Sequence, residues 1–103
     1  MIALTGTLTC PTPDDLITVQ TFLPGHITLS RAEPGCIRFD VIQTANPLVW
    51  QVDETYTDQA AFEAHQTRNR ASIWWKMSQG LLRDFQLGET GKEKGPRFPA
   101  AHL

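Results

Sequence analysis

Apolar and polar positions alternate strictly over residues 2–9. Ile2, Leu4, Gly6 and Leu8 fall on one side, and Ala3, Thr5, Thr7 and Thr9 on the other, which is the period of a strand. Gly6 leaves a gap in the apolar row and marks a bulge or a close approach by a neighbour. The period then lengthens. Leu16, Val19, Leu23 and Ile27 form a helical stripe over about 13–32, with Thr12 as N-cap, Pro13 in the first turn, and Asp14 and Asp15 at the positive end. Pro24 and Gly25 predict a kink, since the stripe resumes at Ile27; Glu33-Pro34-Gly35 ends the helix.

Alternation returns at 36–43, with Ile37, Phe39 and Val41 opposite Cys36, Arg38, Asp40 and Ile42. After a turn at Ala45-Asn46-Pro47 it continues over 48–56, where Trp50, Val52, Glu54 and Tyr56 share a face and Val49, Gln51, Asp53 and Thr55 share the other. Thr57 or Asp58 caps a second helix from about 59 to 79, with a possible break near Thr67–Asn69. Its inner side is traced by Phe62, His65, Ile73, Trp74 and Met77, and Gly80 closes it. A last strand spans Leu81–Leu87, with Leu81, Arg83, Phe85 and Leu87 facing one way. The Gly-, Lys-, Glu- and Pro-rich stretch 89–103 reads as a polar C-terminal tail, frayed by default, beyond a domain of residues 1–88.

The order β-α-β-β-α-β is the split-βαβ, ferredoxin-like arrangement of the α+β class, with a four-stranded antiparallel sheet. Two helices cover one face. The other face also carries apolar residues, so two sheets are expected to pack against each other in a homodimer.

Composition narrows the partners. At 103 residues the chain makes one domain, and a formal charge of −2 gives no footprint for nucleic acid or anionic lipid. No run approaches the ~20 apolar residues of a membrane span, and the start does not resemble a signal peptide; a soluble cytoplasmic protein is the expectation. Cys10 and Cys36 lack CxxC spacing and are expected as free thiols. The histidines at 26, 65 and 102 have no metal-ligand spacing, and no Gly-rich phosphate loop is present, so no metal is expected.

Three segments carry a more specific signal: H-I-x-x-S-R-x-E-P-G-C-I-x-F-D-V from His26, P-x-x-W-x-V-x-E-x-Y-x-D from Pro47, and A-A-F-E-A-H ending at His65. Together they resemble the antibiotic biosynthesis monooxygenase (ABM) family, its quinol-monooxygenase-like branch in particular, over about residues 2–87. The resemblance implies a dimeric α/β barrel with an apolar pocket between each subunit's sheet and helices. It also implies oxidation of a small phenol, quinol or polyketide-like aromatic by O₂ as co-substrate, with no flavin or metal cofactor. A dry pocket and a nearby base would help form the phenolate that reduces O₂. The family's haem-degrading branch uses an early asparagine and a histidine after the helix tryptophan. Thr5-Gly6-Thr7 and the absence of a histidine after Trp74 in the helix speak against that branch.

Within that frame His65 is the candidate for proton transfer; it sits one helical turn after Phe62, and its ordinary pKa is near 6.5. The plain alternative is a core-edge histidine bonded to backbone. Tyr56 and Trp50 share a strand face and could hold an aromatic ring, or simply fill the core. Trp74, rather than adjacent Trp75, fits the inward side and could close the wall. His26 could line the pocket or cap a helix end, and Asn69 with Arg70 could supply polar pocket groups. Arg38 and Asp40 read as interface ion pairs, and Glu54 as a structural or interface carboxylate. The rival function is non-enzymatic: a dimeric small-ligand-binding or interaction module of the same fold. An isomerase or cyclase acting on similar aromatics would share the pocket without needing O₂.

Overall fold

The computed structural model describes residues 1–89 and the backbone of a strand at Lys94–Phe98. Its elements are β1 (Ile2–Thr9), α1 (Pro13–Arg31), β2 (Cys36–Gln43), β3 (Val49–Tyr56), α2 (Gln59–Arg70), α3 (Ile73–Met77), β4 (Leu82–Glu89) and β5 (Lys94–Phe98). The strands form one antiparallel sheet in the order β2-β3-β1-β4-β5, so the first four reproduce the split arrangement expected from the sequence. β5 extends that sheet beside β4, within the stretch expected to fray.

Local chemistry sets the boundaries. Asp15 accepts hydrogen bonds from the Thr12 N–H at 3.0 Å and the Thr12 hydroxyl at 2.8 Å, fixing the start of α1. The helix is continuous through Pro24 to Arg31. Asp58 caps α2 by accepting from the Ala61 N–H at 2.8 Å. The inward rows of the strands are those expected: Ile2, Leu4 and Leu8, then Val52, Glu54 and Tyr56, then Phe85 and Leu87, all buried. They meet Val19 and Leu23 of α1, Phe62 of α2 and Trp74 of α3 in one core. Gly6 faces Phe85 across the β1–β4 ladder, and a Cβ there would lie 2.8 Å from the Phe85 ring and 2.0 Å from the Asp84 carbonyl. The gap in the apolar row is a close approach.

Two expectations are corrected. The break in the second helix falls just after the Thr67–Asn69 position read from the sequence: α2 stops at Arg70, and Ser72 starts α3 by accepting from the Trp75 N–H at 3.1 Å while donating to the Asn69 carbonyl at 2.6 Å. The restart changes the helical phase. Trp74 stays buried, but Ile73 is 56% and Met77 44% exposed, so neither lines the inner side. In β2 the register shifts between Cys36 and Arg38, placing Cys36 opposite Tyr56 and leaving Ile37 as the extra residue. Cys36 therefore packs against the core instead of sharing the Arg38 face, and Ile37 is exposed. Both cysteines are free thiols.

Candidate functional site

A cavity of about 430 Å³, counted to its open mouth, lies between the inner face of the sheet and the three helices. Its apolar wall comes from alternate strand positions, Leu4, Leu8, Phe39, Val41, Val52 and Phe85, together with Leu23 and Trp74. Its polar lining is His26, Glu54, His65, Gln66, Asn69 and Arg83.

His65 is the best-connected of these groups. α2 carries it one turn beyond Phe62, and its Nδ1 lies 2.6 Å from Glu33 Oε1. Glu33 owes its position to the Pro-Gly stop. Gly35 takes φ +86, its carbonyl accepts from the Thr57 N–H at 2.8 Å, and a Cβ there would meet Ala61 at 2.6 Å. The chain thus turns tightly against the start of α2 and holds the Glu33 carboxylate where α2 reaches it. Arg68, one turn along α2 from His65, donates from Nε to Glu33 Oε2 at 2.8 Å and from its terminal nitrogen to Ser30 Oγ at 2.8 Å. Burial alone would raise the Glu33 pKa, but the hydrogen bonds and charges of Arg68 and His65 outweigh it and keep the group below the ordinary carboxylate value.

The carboxylate fixes the imidazole. An ionised Glu33 accepts the Nδ1 proton, leaving the Nε2 lone pair free on the far side of the ring. Burial lowers the His65 pKa, with the Glu33 hydrogen bond and charge opposing, so the ring is neutral. Nε2 lies 3.8 Å from Glu54 Oε1, beyond hydrogen-bond length. Glu54 is a buried carboxyl projecting from β3; it accepts a 2.5 Å hydrogen bond from the Tyr56 hydroxyl. Burial pushes its pKa up to about 7, helped by the charge of Glu33 and opposed by the Tyr56 bond. Burial and the neighbouring Glu54 also raise the Tyr56 pKa, so the phenol stays protonated.

His26, from α1, stacks on Trp74 with ring centroids 5.7 Å apart and meets His65 and Phe39 at 5.7 and 5.5 Å. Its Nδ1 is buried without a hydrogen-bond partner among the described residues. Burial comes first, then the repulsion a proton on His65 would exert and the positive charges of Arg68 and Arg83; together they lower its pKa to about 3, so it too is neutral. Arg83 at the cavity wall donates to the Ser78 carbonyl at 3.0 Å and to Ser78 Oγ at 2.6 Å, and lies 5.3 Å over the Trp75 ring. Burial lowers its pKa to about 10, which leaves it charged.

Of the residues singled out in the sequence, His65, His26, Trp74 and Asn69 come together in the cavity lining. Tyr56 lies behind it, fully buried, with its ring 5.3 Å from His65 and its hydroxyl on Glu54. Trp50 is half-buried against the core, outside the lining. Arg38 and Asp40 pair with each other at 2.7 Å, away from the cavity. Glu33, Phe39, Gln66 and Arg83 were not singled out, and Glu54 was taken as structural. A carboxylate in the inward row Trp50-Val52-Glu54-Tyr56 was a visible signal; nothing in the spacing linked Glu33 to His65. Among the described residues, no group of three or more histidine, cysteine or acidic side chains is placed to hold a metal ion.

Residues 1–72 match the sequence model of the antibiotic biosynthesis monooxygenase family. The chain belongs to this family. No curated protein matches it. Solved structures similar to this ABM protein include a Deinococcus radiodurans protein carrying the family's name, at TM-score 0.70 and 17% identity over 90% of this chain and 95% of that one. A Nitrosomonas europaea protein of unknown function matches at TM-score 0.68 and 21% identity, covering 92% and 93%. One from Mycobacterium tuberculosis matches at TM-score 0.66 and 21% identity, covering 89% and 96%. At these identities the structures establish a shared fold. The ABM match also covers His26, Glu54 and His65 of the cavity and the Glu33 that binds His65, whereas Trp74 and Arg83 fall beyond it.

Proposed function

We propose that this ABM protein is a monooxygenase that oxidises a small phenol or quinol with O₂ as co-substrate and without flavin or metal. The observation carrying this reading is the Glu33–His65 pair at the wall of an aromatic cavity, with Nε2 directed toward Glu54. Neutral His65 is a base held in one tautomer, as removal of a phenolic proton requires. The apolar wall excludes water from the phenolate that results, and Phe39 and Trp74 offer faces to its ring. Trp50 and Tyr56 act one layer back, Tyr56 by holding Glu54. Asn69 and His26 offer polar groups along the rim of the ring.

The electrons come from the substrate. His65 Nε2 takes the hydroxyl proton, and the phenolate ring carbon ortho to it forms a bond to O₂. The terminal peroxide oxygen then recovers the proton from His65. Loss of the C–H proton supplies the electron pair for a new carbonyl as the O–O bond breaks, and the distal oxygen leaves as water. The sum is one phenol plus one O₂ giving one quinone plus one water, a four-electron oxidation of the ring.

The protein acts as a homodimer, its sheets paired through the face away from the helices; Ile42 and Leu82 are exposed there. The test is O₂ uptake by purified, chelator-treated protein with phenols, quinols and hydroxynaphthalenes. Protein-dependent uptake that falls about 10²-fold in His65→Ala supports the reading. Ligands that quench tryptophan fluorescence without any uptake would instead make this a binding module or a non-oxidative enzyme.

A further inference from the structure

Glu54 is not needed to form the phenolate, yet it sits in the cavity wall in an arrangement unlike an ordinary buried carboxylate. Among the described residues, no lysine or arginine lies within ion-pair range of it. Its bonded partner is the Tyr56 hydroxyl, on Oε1, and its nearest basic group is His65 Nε2 at 3.8 Å from that same oxygen. With the Nδ1 proton of His65 committed to Glu33, Nε2 and Oε1 are two acceptors facing each other without a proton between them. A carboxylate in that position would be desolvated, held by the Tyr56 hydrogen bond with no cation beside it among the described residues, and repelled by Glu33; an acid carries no charge to repel. The Tyr56 bond on Oε1 leaves Oε2 to carry the proton.

We propose that Glu54 is a second catalytic residue, the acid that donates to the departing peroxide oxygen, while a ligand hydroxyl beside it donates to His65 Nε2. The inference rests on the oxygenase reading above and adds the source of the last proton. The Glu54 carboxyl stands 3.8 Å from Nε2, so a phenol whose hydroxyl donates to that nitrogen lies beside the carboxyl, and its acid proton on Oε2 faces the ligand. When the O–O bond of the hydroperoxide breaks, its distal oxygen leaves with the bonding pair and takes the Glu54 proton to become water. The proton shed by the ring carbon returns Glu54 to its acid form, so the residue is unchanged over a turnover. The groups facing this proton are Tyr56 on its own strand, His65 from α2, Glu33 from the turn after α1, and Cys36 at the start of β2.

The experiment is stoichiometry. Wild type and Glu54→Gln, which keeps an acceptor for Tyr56, are given a phenol oxidised by the wild type, and O₂ consumed is compared with quinone and substrate hydroperoxide formed. The expected result is continued O₂ uptake by the variant with most of it held in the uncleaved substrate hydroperoxide, and at least a tenfold fall in quinone per O₂. Glu54→Asp should restore part of the quinone yield. A variant with wild-type quinone yield and rate overturns the Glu54 role while leaving the oxygenase reading intact. A wild type that consumes no O₂ with any phenol overturns both. The infrared spectrum gives a reading independent of turnover: a protonated-carboxyl band in the folded wild type at mildly acid pH, absent from Glu54→Gln. Its presence in both proteins overturns the assignment of the proton to Glu54.

Discussion

The two faces of the sheet are built from the same strands and both carry polar residues, but those residues do opposite jobs. On the outer face Thr5 donates to Asp53 at 2.8 Å, and Arg38 and Arg31 bind Asp40 at 2.7 and 3.2 Å, all partly or wholly in water. Such contacts are screened and contribute little to stability. On the inner face His26, His65 and Glu54 are buried beside Phe39, Trp74 and Phe85, where an unneeded polar group would be costly. Under the proposed function that cost is offset by chemistry, with Glu33 holding His65 as a base.

The sharpest way to break the contrast is to change one polar group on each face. Once a substrate is in hand, His65→Ala should lower kcat/KM by about 10² or more, because it removes the only base directed at the cavity's Glu54 among the described residues. Asp40→Asn, which loosens the Arg31 and Arg38 contacts, should leave turnover within about twofold and stability within about 0.5 kcal/mol. Comparable losses in both would mean that the inner face is structural.

The outer face has its own liability. Ile42 is 61% and Leu82 60% exposed, and a sheet-paired dimer would cover them. Burying each contributes on the order of 1.5–3 kcal/mol, so Ile42→Lys with Leu82→Lys should weaken self-association by well over tenfold while the fold survives. Sedimentation of wild type and double variant over a dilution series measures this. A wild type that is monomeric at all concentrations removes the dimer from the proposal.

Glu33→Gln tests how the inner face is wired. The amide still reaches His65 Nδ1 but no longer favours one tautomer or a protonated ring, so kcat should fall about tenfold with KM little changed. The Arg68–Glu33 contact is only partly exposed, and a smaller loss of stability should accompany the change, visible as a lower melting temperature.

Most of the fold was legible because alternation and helical stripes record burial directly. The Trp50-Val52-Glu54-Tyr56 row is inward as read, and Gly6 sits where a neighbour's ring needs room. What the pattern could not show was phase. One serine, at 72, restarts a helix and turns Ile73 and Met77 outward, and a one-residue bulge at Ile37 carries Cys36 inward. The site was half legible for a related reason. His65 and Trp74 lie on inward stripes, but Glu33 was read only as part of a helix stop. Its partner is 32 residues away, and no local period encodes a contact made by folding.

The smallest expected effect is on stability against pH, where two residues of the inner face act in opposite directions. His26 has a folded pKa of about 3 against an ordinary 6.5, so between those values the unfolded chain binds a proton that the folded chain refuses. Its contribution is complete above about pH 6.5 and is lost as pH falls. Glu54 has a folded pKa of about 7 against an ordinary 4.5, so there the folded chain holds a proton that the unfolded chain releases. Its contribution is complete below about pH 4.5 and is lost as pH rises through 7. The two slopes oppose each other between 4.5 and 6.5, where stability should be nearly flat. Glu54→Gln should remove the alkaline loss, raising the melting temperature relative to wild type by about 5 °C above pH 8 with no gain near pH 4. His26→Phe should flatten the acid limb instead. A melting temperature for Glu54→Gln that tracks wild type at every pH would mean that the carboxyl is already ionised in the folded chain, and the inner face would then hold its charge as the outer face does.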